Sequence, residues 1–166
     1  MHMNFTAILI STVIPLLIGF VWYHPKTFAN TCMREAEVSE EKIKGRSMGL
    51  IFSLTLLLSF FLSFAMEYIV IHQMHVYSIF ANDPTMSDPN SELGLMLKDF
   101  MEKHGSNFRT FKHGVLHGVI GAITIALPVI GINALFERRS FKYVAIHFGY
   151  WLVTMGLMGG VICGMV

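Results

Sequence analysis

The sequence predicts an all-α fold, an integral membrane four-helix bundle with a short amphipathic helix in its long second loop. Two observations carry this. Four apolar runs, 5–23, 48–71, 114–136 and 143–165, contain only Glu67, His117 and His147 among all their possible Asp, Glu, Lys, Arg and His residues. At a rise of about 1.5 Å per residue, each run is long enough to cross a hydrocarbon core about 30 Å thick. Composition agrees: 54% of the chain is apolar and 14% charged, where soluble proteins carry about 25% charged residues. The 166 residues therefore form one membrane domain, 1–166, whose longest connection is the outer loop 72–113.

The elements follow in order. The first run has no Lys or Arg before it and no small-residue cleavage site, so it reads as a retained span rather than a signal peptide. It ends in Trp22, Tyr23, His24 and Pro25. The two aromatic rings suit the membrane–water boundary, and proline stops the helix. Pro15 and Pro128 predict kinks in the first and third spans. In the first loop Ser39 is placed to cap a short helix running to Lys44, with Gly45 as its stop. The second span meets no breaker until about Ala81, which predicts a helix projecting beyond the bilayer. Pro84 and Pro89 then mark a turn region. Over 91–104, Leu93, Met96, Leu97, Phe100 and Met101 recur at helical spacing opposite Lys98, Asp99, Glu102 and Lys103. This predicts an amphipathic helix that lies on the membrane surface or lids the bundle.

Spans three and four carry small residues at close intervals: Gly114, Gly118, Ala122 and Ala126, then Gly156, Gly160 and Gly164, with Gly149 on the same face. Missing side chains let backbones approach, which is what drives helix association in lipid. The short third loop makes these two spans antiparallel neighbours. A second small face shared between protomers is the alternative, and a homo-oligomer is expected.

Eight of the 12 Lys and Arg residues lie in the first and third loops: Lys26, Arg34, Lys42, Lys44, Arg46, Arg138, Arg139 and Lys142. The positive-inside rule then places those loops in the cytoplasm and both termini outside. Cys32 and Cys163 fall on opposite sides and cannot pair. A net charge of +1 offers nothing to nucleic acid, leaving the lipid bilayer as the obligatory partner.

Histidine is unevenly distributed. His2, His72, His75, His104, His113 and His117 all fall on the outer side. His113 and His117 are four apart, hence on one helix face. Glu67 lies about one turn inside the end of the second span, at roughly the depth of His117. If the second and third spans are neighbours, Glu67, His113 and His117, joined by His72 and His75, converge on a metal site. Nitrogen and carboxylate ligands suit Zn, Ni, Fe or Cu(II). The metal-free reading is a buried Glu67–His117 contact, since an acid in a membrane helix turns inward and finds a partner. Proton coupling is the third. His24 and His147 lie near the opposite rim, where Asn133 joins them. They read as boundary anchors, and a di-haem arrangement across the two rims is a remote alternative. Met66, Met74, Met96 and Met101 read as packing residues rather than Cu(I) ligands.

The segment Trp22-Tyr23-His24-Pro25-Lys26-Thr27-Phe28 resembles the signature that follows the first helix of a bacterial membrane family, domain of unknown function 1761. Leu127-Pro128 followed by Asn133 to Arg139, and the end from Phe141 through Gly149-Tyr150 to Leu157-Met158-Gly159, match in the same order. The resemblance implies four helices in a bacterial inner membrane and brings no activity. Trp22 and Tyr23 read as interface anchors. Glu137, Arg138 and Arg139 read as a charged cytoplasmic turn, facing lipid phosphate or each other.

Three function classes remain. The first is a structural or accessory oligomeric bundle with a buried polar cluster. The second is a metal-binding or proton-coupled transport protein using Glu67, His113 and His117. An enzyme is the weakest, because no nucleophile elbow, no phosphate loop and no paired carboxylates in an apolar run are present.

Overall fold

The structure is a computed structural model that describes residues 3–39, 41–42 and 47–165. The four apolar runs are helices long and apolar enough to cross a membrane: α1 (Phe5–Trp22), α3 (Met48–Val70), α6 (Phe111–Phe136) and α7 (Phe141–Gly164). Short helices between them include α2 (Ala29–Glu35), α4 (Gln73–Ile79) and the amphipathic α5 (Glu92–His104). No strand occurs among the described residues.

Hydroxyl and amide side chains start the long helices. Asn4, Ser47, Ser91, Thr110 and Ser140 begin α1, α3, α5, α6 and α7, each accepting from the backbone N–H three residues on. Each thereby satisfies one of the orphan donors at a helix start. Ser140 also donates to Glu35 Oε2 at 2.6 Å, tying α2 to the start of α7. That hydroxyl holds the Glu35 carboxyl below its usual range.

The axis of the bundle is α7. Of its most apolar window 56% is buried, against 28%, 11% and 17% for α1, α3 and α6. α1, α3 and α7 pack mutually, and α6 lies against α7 and α3. The core forms where α3, α6 and α7 meet, from Met66, Val70, Ile71, Ala122, Met155, Met158 and Ile162. Outward-facing residues such as Leu54, Leu57, Leu58, Phe61, Ile125, Val129 and Ile132 remain exposed. That is the expected surface for a chain whose solvent is hydrocarbon.

The closest approach is between α6 and α7. A Cβ added at Gly114 would run into the Gly159 carbonyl, and one at Gly118 into the Met155 carbonyl. Phe111 fills the space over Gly160, where a Cβ would lie 2.6 Å from its ring. Gly164 abuts the Phe111 backbone, and Gly156 faces Val119. The predicted small face is thus consumed within the chain, with two changes. Gly149 serves α1 instead, since its missing side chain admits the Trp22 ring, which a Cβ would meet at 2.8 Å. Gly159, passed over in the sequence because Gly160 sits beside it at the expected spacing, is the residue that meets Gly114.

One further expectation is overturned, and two others gain detail. α3 does not project to Ala81. Its helix ends at Val70, Ile71 is extended (φ −108°, ψ 98°), and the chain restarts as α4. No Gly or Pro marks this break. It is set by tertiary contacts: Gln73 Nε2 donates to the His104 and Asn107 carbonyls at 3.3 and 2.9 Å. Pro128 acts through a wide turn. Residues Ala122–Ala126 are π-helical and the Leu127 N–H reaches back to the Ala122 carbonyl. Such a turn re-satisfies carbonyls that a helix proline leaves without donors. In the first loop α2 precedes the expected helix, of which Glu41 and Lys42 are helical with the Lys42 N–H donating to Ser39 Oγ at 3.4 Å, the expected cap. The segment from Ser39 to Gly45 falls mostly outside the described residues.

Two substitutions test the backbone contact. Gly118→Val should lower stability by about 1–3 kcal/mol or more through overpacking. Gly131, on the same α6 but with nothing within 4 Å of an added Cβ, should accept Ala with a gain of up to about 1 kcal/mol. Thermal unfolding in mild detergent reads both.

Candidate metal centre

The rim that carries both termini holds the histidines. α6 starts at Thr110, so His113 and His117 emerge one turn apart from its first two turns. The break after α3 turns His72 toward them. Ring nitrogens of His72, His113 and His117 all lie within 4.8 Å of one another. His72 Nε2 and His113 Nε2 are 3.0 Å apart, and one donates to the other. The three ring centroids are 4.5 to 5.2 Å apart. Zn–N bonds of about 2.0–2.1 Å in tetrahedral geometry place ligand nitrogens roughly 3.3 Å apart. The cluster is therefore at ligating scale, within small side-chain rotations.

Burial is graded. His72 is exposed, and His113 and His117 are half-buried. Desolvation, then the facing His113 and His75 rings, push His72 below the ordinary imidazole range, which favours the neutral ligand form. Phe108 stacks on His113 at 5.1 Å. Its φ of 62° lies in the left-handed region, uncommon and costly for a bulky side chain. Its carbonyl accepts from Thr110 N and from Cys163 Sγ. Strain is thus held beside the cluster by contacts on both sides. A cleft of about 310 Å³ adjoins His72, lined also by Gln73, Val76, Phe100, His104 and Asn107.

Glu67 is not part of this group. It is 1% exposed and its Oε1 accepts from the Asn4 backbone N–H at 3.2 Å. The expected Glu67–His117 contact is replaced by one to the chain's start, because α1 lies on that side of α3. Asn4 also caps α1 and donates through Nδ2 to the Met165 carbonyl at 3.0 Å. Arg109 reaches the Cys163 and Met165 carbonyls. His75, in α4, stands outside the three-histidine group. The sequence reading did not single out Asn4, Arg109 or Gln73 as tying residues. No local spacing marks them, since their partners are far along the chain.

At the opposite rim the aromatic anchors turn inward. Trp22 Nε1 donates to the Ile146 carbonyl at 3.1 Å, and the Tyr23 hydroxyl lies 2.9 Å from His147 Nδ1. His147 Nε2 is 3.7 Å from Cys32 Sγ. His24 bonds within its own turn, accepting from Lys26 N, so it does not pair with His147. Arg139 meets Glu37 and Glu137 and lies over the Tyr143 ring. Arg138 adopts a left-handed φ of 57° in that turn. Met66, Met155 and Met158 are core-filling.

Fold and site together define a four-span membrane protein with a three-histidine cluster at one rim. A sequence model of the family described as "Protein of unknown function (DUF1761)" matches residues 6–163. The chain belongs to that family. No curated protein and no solved structure matches it.

Thr110→Ala removes the cap next to His113 and should cost about 1 kcal/mol. The same thermal unfolding measurement checks it, with Thr110→Ser expected to restore the loss.

Proposed function

We propose that this protein binds a transition-metal ion at the rim carrying its termini, through His72, His113 and His117. One observation carries the reading: three imidazoles from two separate elements meet with their nitrogens within 4.8 Å. Imidazole ligands suit Zn, Cu(II), Ni or Fe. Three protein ligands leave a coordination position open, the pattern of sites that exchange or activate a ligand rather than closed structural sites. Beside His72 that position has the 310 Å³ cleft with Gln73, His104 and Asn107. The packed core of Met66, Met158 and Ile162 lies beneath. A site over a filled core supports capture and holding of metal at the surface rather than passage through the bundle. The Lys and Arg distribution supports placing this rim outside a bacterial inner membrane, where it would meet metal from the exterior.

The test is metal content of protein purified in mild detergent. About one Zn or Cu per chain is expected after equilibration, with at least a tenfold loss of affinity in His113→Ala and His117→Ala, and likewise in His72→Ala. Retained folding of the variants is checked by thermal unfolding. A folded wild-type protein that takes up no metal overturns the proposal and leaves the accessory bundle as the reading.

A further inference from the structure

Apart from Gln73 in α4, the buried polar side chains are gathered in one part of the bundle. Ser11, Thr12, Ser59, Ser63, Glu67 and Thr154 are all buried, and all lie on α1, α3 and α7, the three helices that pack mutually. On α3, Thr55, Ser59, Ser63 and Glu67 follow one another at four-residue intervals. On α7, Tyr143, His147, Tyr150 and Thr154 advance by four, three and four. Those spacings keep each set on one helix face. The two stripes are joined through α1. Thr12 Oγ1 lies 3.3 Å from Ser63 Oγ, and the Tyr150 hydroxyl donates to the Pro15 carbonyl at 2.8 Å. The seam ends at the far rim in the Tyr23–His147–Cys32 contact. A cleft of about 510 Å³, lined by Thr55, Tyr23, His24 and Tyr150 among apolar residues, opens beside it.

A seam that only glued helices would satisfy itself. Ser63 does so by donating to the Ser59 carbonyl, and Thr12 by donating to that of Ile8. Two oxygens break this rule. Glu67 Oε2 and Thr154 Oγ1 are buried without a hydrogen-bond partner among the described residues. They sit at different depths, one near the termini rim and one near mid-span. Buried polar atoms are normally paired with protein or water, and acids inside membrane helices mark proton relays. The carboxyl is costly here, and its contact with Asn4 uses only Oε1.

We propose that this seam carries protons between Glu67 and the Tyr23–His147 pair, with water bridging at the two unpartnered oxygens. Each hydroxyl, carboxyl, imidazole or bridging water accepts a proton on one side and releases one on the other, while the Pro15 carbonyl only holds Tyr150 in place and passes no proton. One proton enters, one leaves, and no other bond changes; the transmembrane proton gradient supplies the drive. Arg109 is the cation near Glu67, with its guanidinium committed to the Cys163 and Met165 carbonyls. At the far end the titratable neighbours are Cys32, Tyr143 and Tyr150. The path shares no residue with the three-histidine cluster, so either proposal can fail alone.

The experiment uses the intact protein in proteoliposomes with a pH-sensitive dye inside, a valinomycin-clamped potassium potential and EDTA throughout. Faster internal acidification than in protein-free vesicles is expected, with at least a tenfold loss in Glu67→Gln and a several-fold loss in Thr154→Val. Glu67→Asp should keep part of the flux. Should Glu67→Gln fail to fold, Thr154→Val and Ser63→Ala decide. Wild-type flux equal to that of empty vesicles, or equal flux in wild type and folded variants, overturns the proposal.

Discussion

The contact between α6 and α7 governs the rest of the structure. Between two helices in lipid there is no hydrophobic gain, because acyl chains are as apolar as leucine. Association then depends on dispersion and close backbone approach. Gly114 and Gly118 on α6, set against Gly159, the Met155 carbonyl and Gly156 on α7, provide that approach. It makes α7 the buried axis, and it orients α6 so that Val115 and Val119 pack toward Gly156. His113 and His117 then project from the same helix start toward α3. A side chain at either glycine would separate the helices and displace the imidazoles with them.

A second constraint acts at the rim. α3 ends where nothing in its local sequence demands it, and the chain turns at Ile71 so that His72 faces His113. The turn is held from a distance by Gln73, which satisfies the His104 and Asn107 carbonyls at the end of the amphipathic helix. The loop between α3 and α6 is therefore tied to the candidate site by hydrogen bonds. Phe108, in its left-handed conformation, closes the other side by stacking on His113 while its carbonyl holds Cys163. Local strain is tolerated because three separate contacts determine that residue's position.

Polar groups inside the bundle divide by what they can satisfy alone. Serine and threonine hydroxyls return to their own helix carbonyls, so they add little constraint. Glu67 has no such option, and it draws the start of α1 and, through Asn4, the last carbonyls of α7 to one point. Asn4 and Met165 meet there because a single buried carboxyl needs a donor. At the other rim Tyr23 and Trp22, which by composition suit the water boundary, spend their polar atoms on α7.

The four spans, the amphipathic helix and the α6–α7 packing were legible in the sequence, because hydropathy, 3.6-residue periodicity and small-residue spacing are local quantities. His113 and His117 were legible as a pair for the same reason. What a linear reading could not decide was which neighbour each face meets. Glu67 and His117 lie at similar depths, but depth carries no azimuth, and the packing order around α7 sends the carboxyl toward α1 and the imidazole toward His72. Gly149 serves α1 and Gly159 meets α6 on the same ground, since Trp22 and Gly114 approach α7 from different sides. The sequence by itself determined four helices long and apolar enough to cross a membrane; the tertiary structure decided which polar groups meet, because meeting depends on the rotation and neighbours of each helix, which no periodicity within one helix records.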